Sequence, residues 1–248
     1  ITIATGGTLT IAPDAIVIFT GDSGIFVNGT LIANDAIFSC SDDILRWFGV
    51  VFSGETSRGV LKNCIFDNIS KPYSSVISIY GGAPTITGCT IRNSSAATGI
   101  VISNGASPVI SGNTIDSMSY QGISILHASP RVSNNTLQNC GYGVYVANDS
   151  NIDPVITDNT YLGCSLGDLY ITGTINSDIL WTNNKVYRIG LLSIKNGGSV
   201  SLSKGTTVNV SDELTIFEGG ALIINPGCTI LVNNNKGIDS MGTLIATD

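Results

Sequence analysis

One short pattern constrains this chain more than anything else: an apolar residue, two residues, Asn or Cys, one residue, then another apolar residue. It occurs as Leu61–Cys64–Phe66, Ile86–Cys89–Ile91, Ile110–Asn113–Ile115, Val132–Asn135–Leu137, Ile156–Asn159–Tyr161 and, less regularly, Trp181–Asn184–Val186. Successive Cys/Asn positions are 25, 24, 22, 24 and 25 residues apart. A period in this range makes each repeat one supersecondary unit, which buries its apolar side only by stacking on its neighbours.

A second ladder fixes the register. Ile79, Ile102, Ile125, Val146, Ile171 and Ile194 follow at spacings of 23, 23, 21, 25 and 23, each with an apolar partner two positions earlier (Ile77, Ile100, Ile123, Val144, Leu169 and Leu192). Alternation of this kind is a strand turning i and i+2 inward. Gly99, Gly122, Gly143 and Gly190 precede these strands, where a turn would use their backbone freedom. Pro84, Pro108, Pro130 and Pro154 open the other strand, where a missing amide donor is tolerated. Two short strands and a further corner per coil predict an all-β, single-stranded parallel β-helix of about ten coils, like residues stacking about 4.8 Å apart.

Composition agrees with stacked strands joined by polar turns. Only 12% of the 248 residues are charged, against roughly 25% in ordinary soluble domains, and there are 29 glycines. A net charge of −7 with no basic stripe argues against nucleic acid. No apolar run approaches the roughly 18 residues of a membrane helix, so membrane insertion is not expected. The chain begins at Ile1 without a signal peptide, as a processed or excised segment would. Cys64 and Cys89 share a slot with asparagines, and Cys140 and Cys164 share another. That placement favours buried free thiols stacked in line, with disulfides between adjacent coils as the alternative.

The regular coils occupy 57–198, between wider N-terminal coils at 1–56 and C-terminal coils at 199–248. Residues 6–35 align without gaps to 219–248 with thirteen of thirty identities, including GTLIA at 29–33 and 242–246. Either both ends share one wide-coil style, or a second module begins near Gly219. The expectation is one β-helix over 1–248, with neighbouring domains of a longer chain or the segments at 1–20 and 225–248 covering its ends.

The P-x-I-x-x-N-x-I coil, the G-I-x-I strand, the opening L-x-I-x-P with GTLIA, and WFGVVF at 47–52 resemble the right-handed parallel β-helix repeat superfamily. That group is pectin-lyase-like and includes carbohydrate-binding proteins, lyases, hydrolases, epimerases and adhesins. The resemblance covers nearly the whole chain. It implies a right-handed helix, an extracellular or cell-surface setting and contact with polysaccharide, and it does not choose an activity.

Candidate sites are few. Asn113, Asn135, Asn159 and Asn184, with Cys64 and Cys89, read as an inward structural ladder of side chains bonded in line. Polysaccharide hydrolysis needs two facing carboxylates, and lyase chemistry needs a base with a cation, often Ca²⁺. The weak catalytic candidates are Asp42 and Asp43, adjacent in SCSDDILRWFG, and Asp67 and Asp116, which share a slot with Arg92 in three successive coils. The Asp-Asp pair resembles polygalacturonase-like members, but their NTD, G-H and R-I-K motifs are missing. The bland reading of Asp67, Arg92 and Asp116 is a surface charge ladder. His127, the single histidine, shares a turn slot with Gly81, Asn104, Asn148, Gly173 and Asn196 and has no orienting partner in the pattern. Tyr145 and Tyr170 lie between inward pairs, so they face outward on adjacent coils and offer a platform for a sugar, in one row with Ser78, Val101, Ser124 and Ser193. An ordinary cross-strand aromatic pair is the competing reading.

The first functional expectation is therefore a non-catalytic structural or adhesive module of a larger secreted or surface protein, in contact with carbohydrate. The alternative is a polysaccharide lyase, hydrolase or epimerase, and only that alternative brings Ca²⁺. Otherwise no metal or cofactor is implied. A tailspike-like trimer segment is a third possibility.

Overall fold

The computed structural model describes residues 1–20, 23–40, 47–67, 75–94, 98–148, 154–182 and 186–247. Every regular element among them is a β-strand, and every strand pairing is parallel. The chain falls into two compact units, residues 1–144 with 152–166, and residues 145–151 with 167–248.

In the first unit each regular coil contributes three strands, not two. One coil runs through Ser75–Tyr80, Thr85–Thr87 and Thr90–Arg92, and the next through Thr98–Ser103, Val109–Ser111 and Thr114–Asp116. The Asn/Cys pattern straddles the boundary between the two short strands, so what reads as one strand is two joined by a corner. Inward residues stack in columns, such as Leu61, Ile86, Ile110 and Val132, all fully buried. Phe38 and Phe66 stack with centroids 4.8 Å apart and planes 6° off parallel.

The corner needs a backbone that turns from one sheet to the next within two residues. Asp35, Asn63, Gly88, Gly112, Asn134 and Asp158 supply it with φ between 53° and 67°, the left-handed region that only Gly, Asn and Asp enter readily. Each precedes an inward residue: Ala36, Cys64, Cys89, Asn113, Asn135 or Asn159. The prolines open the strand after the other corner, and the carbonyls of Pro84, Pro108 and Pro130 accept from the amides of Val109, Arg131 and Val155 one coil on.

Gly99, Gly122, Gly143 and Gly190 do not sit in turns. They lie inside the long strands and none has positive φ. What requires glycine is space: a Cβ on Gly122 would lie 2.7 Å from both Gly143 O and Leu137 Cδ1.

The second unit contains the nine-residue strands Gly167–Ile175 and Val186–Ile194. Val186–Ile194 pairs onward with two shorter strands, Thr207–Val210 and Glu213–Ile216. A four-stranded sheet runs through Asp178–Trp181, Ser199–Leu202, Ala221–Ile224 and Thr243–Ala246. Here the sequence ladder slips. Ile171 pairs with Ile189 rather than Ile194, Leu169 with Tyr187 rather than Leu192, and a register shift separates Ile171 from Gly173. Inward alternation alone does not choose between them, because Val186–Ile194 holds two inward pairs, Tyr187/Ile189 and Leu192/Ile194, on either side of Gly190. Val186, expected inward, is 44% exposed.

Candidate functional site

The Asn positions form one buried polar column. Asn135 Nδ2 donates to Ile110 O in the coil before it at 3.0 Å and to Asn159 Oδ1 in the coil after it at 2.9 Å. Its Oδ1 accepts from Asn113 N and Asn113 Nδ2, both at 2.9 Å. A primary amide has two donors and two acceptor sites, and all four are used. Asn113 repeats the arrangement toward Ile86 O and caps the Cys89 amide. Cys64 and Cys89 keep half of it: their thiols donate to Ala33 O and Leu61 O at 3.4 Å. The two thiols interact, which lowers the Cys64 thiol to about 7 and raises Cys89. Asn184 lies outside the described residues, as do Asp42 and Asp43.

Asp67 and Asp116 share a slot but not a bonding pattern. Asp67 takes an ion pair from Arg92 at 3.3 Å and a hydrogen bond from Asn93 Nδ2 at 2.8 Å. Asp116 accepts from Asn139 Nδ2 at 2.9 Å, Gln138 Nε2 at 2.9 Å and Ser117 Oγ at 2.8 Å. The Asn139 and Gln138 bonds hold its carboxyl below its usual range. The expected alternating charge ladder is thus one ion pair, followed by a carboxylate bound by amides of the next coil. Among the described residues, no three of His, Cys, Asp and Glu gather as metal ligands. His127 is exposed with φ of 53°, at a corner shared with Asn104 at 56° and Gly81 at 122°.

Tyr145 and Tyr170 stack with centroids 5.1 Å apart and planes 9° off parallel. Leu169, Ile171, Tyr187 and Ile189 are buried, so the residues between them, Tyr170 and Arg188, face outward as register partners. Asn209 continues the row, and its Oδ1 is buried with no hydrogen-bond partner. Tyr170 lies against Gly190, where a Cβ would meet the Tyr170 hydroxyl at 2.1 Å. Because the rings are parallel and stacked, each gives one face to the other and presents its edge outward.

The row differs from the sequence expectation. Ser193 pairs with Thr174 and Thr215, not with Tyr170, because of the register shift. Ser78 and Ser124 are 5% and 2% exposed, and Ser75 and Ser78 share a hydrogen bond at 2.6 Å. With Thr98, Ser103 and Gln121 they make a covered polar face in the first unit. Pattern reading missed Arg188 and took Gly190 for a turn glycine, whereas it lies inside Val186–Ile194 beneath the Tyr170 ring.

A protein-family model described as right handed beta helix region matches residues 74–243. No curated protein matches the chain.

Proposed function

The chain belongs to the right-handed β-helix family, and from that premise we propose that it is a stiff structural or adhesive module of the extracellular space or cell surface, with carbohydrate as its ligand class. The observation that carries the reading is the Asn113–Asn135–Asn159 column. It ties coil to coil through buried amides with no donor or acceptor of Asn135 unused, which resists sliding and opening between repeats. The ligand half rests on the outward row of Tyr145, Tyr170 and Arg188. A sugar there would meet ring edges and a guanidinium, so hydrogen bonds would hold it more than face stacking.

The test combines binding and turnover. Purified protein is run against neutral and acidic polysaccharides, with and without Ca²⁺, by affinity electrophoresis and by assays for new reducing ends and unsaturated products. The expected result is retardation without product. Arg188→Ala should weaken retardation about tenfold or more, the worth of one charge-assisted hydrogen bond. Product that survives repurification would favour the lyase, hydrolase or epimerase reading. Absence of retardation on every glycan would remove carbohydrate from the proposal.

A further inference from the structure

None of the six thiols is in a disulfide, yet four of them form two matched pairs in the first unit. Cys64 and Cys89 point at the carbonyls of Ala33 and Leu61, which are themselves register partners. Cys140 and Cys164 point at Ile115 O at 3.9 Å and Leu137 O at 3.6 Å, and Ile115 and Leu137 are again register partners. Thiols aimed the same way at carbonyls one coil apart are stacked at the coil spacing, about 4.8 Å. That spacing falls inside the Cα separation a disulfide spans, roughly 4.4–6.8 Å.

The pairs differ in access. Cys64 is fully buried and Cys89 is 1% exposed, so no reagent reaches either in the folded state. Cys140 is also 1% exposed, but Cys164 is partly exposed. Each of these two follows a left-handed corner residue, Asn139 and Gly163, beyond the end of its strand. Their side chains can therefore rotate toward one another without breaking a strand ladder.

We propose that Cys164 and Cys140 are an oxidisable dithiol that staples adjacent coils, Cys164 taking the attack on a small disulfide and Cys140 resolving it. The Cys164 thiolate attacks one sulfur of the small disulfide and expels the other as a thiolate, which leaves a mixed disulfide on Cys164. The Cys140 thiolate then attacks Cys164 Sγ, forms the cross-coil S–S bond and expels the second thiolate. The protein loses two thiol hydrogens, and the small disulfide is reduced to two thiols. Burial holds the Cys140 thiol up at about 11. Resolution should thus quicken roughly tenfold per pH unit toward that value, because the thiolate is the nucleophile.

Folded protein is incubated with oxidised glutathione, quenched with N-ethylmaleimide, digested without reduction and analysed by mass spectrometry. The expected product is one peptide pair linked through Cys140 and Cys164, formed faster at higher pH, with Cys64 and Cys89 alkylated only after unfolding. In Cys140→Ser the glutathione should remain on Cys164. Wild-type protein that accumulates glutathione on Cys164 without closing the link, shows no change at Cys164, or links Cys64 to Cys89 at the same rate would overturn the proposal. These readouts are made on the wild-type chain, so poor folding of the serine variant does not remove them.

Discussion

Asn135→Ala isolates the contribution of the buried amide column. The substitution removes four hydrogen bonds at once. The Asn113 amide loses its acceptor, and an orphaned buried donor costs about 1–3 kcal/mol. Asn113 Nδ2, Ile110 O and Asn159 Oδ1 each lose one bond, at about 0.5–1 kcal/mol apiece. The expected loss is about 3–5 kcal/mol, a large share of what holds an ordinary domain folded. Asn135→Cys should recover about 1 kcal/mol of this, because a thiol in that slot still donates to the carbonyl one coil back, as Cys89 does to Leu61. Asn135→Asp puts oxygen where Nδ2 faces two acceptors. It should cost at least as much as alanine at neutral pH and partly recover in acid, where the carboxyl regains a donor. The assay is urea unfolding with linear extrapolation, paired with hydrogen exchange at the Asn113 amide. An alanine variant within about 1 kcal/mol of wild type, or an aspartate variant as stable as wild type at pH 7, would refute the claim that saturation of this amide sets the coil-to-coil stability.

Three further outcomes follow from the same geometry. Gly122→Ala should cost about 1–3 kcal/mol in denaturant melts, since the added Cβ meets a backbone oxygen and a packed leucine at 2.7 Å; an unchanged midpoint would show that the strand can shift to admit it. The Cys140 thiol is pushed up by burial to about 11 from an unfolded value of 9.0. The unfolded chain therefore releases this proton first, and stability should fall by about 2–3 kcal/mol as pH rises from 9 to 11. Cys140→Ala should flatten that alkaline limb. Asp116 is held below its ordinary range by Asn139 and Gln138, so the stability it lends is present above the unfolded carboxylate pKa of about 3.9 and disappears as pH falls below it. An acid-unfolding curve of Asp116→Asn as steep as that of wild type would show that other carboxylates dominate.

The parts of this molecule that were legible in its sequence are those where one residue type answers one backbone demand in every coil. The columns through Ile77, Ile100 and Ile123 and through Ile86, Ile110 and Val132 were readable, because each of these inward positions holds an apolar side chain and recurs once per coil. The left-handed corner was equally written in Asp35, Asn63, Gly88, Gly112, Asn134 and Asp158. It escaped because three residue types satisfy it, so no single letter repeats. Register in the second unit was not legible. Strand Val186–Ile194 turns Tyr187 and Ile189 inward and then, past Gly190, Leu192 and Ile194, so two inward pairs of opposite parity compete for Leu169 and Ile171. The shift at Ile171/Gly173 decides that Arg188, and not Ser193, stands beside Tyr170. It also turns the tyrosine pair from an isolated aromatic feature into part of a row that carries a cation. The outward row is thus set by a bulge that periodicity cannot encode. A binding surface on a repeat fold should be sought where the repeat is broken, because the regular coils fix only what faces inward.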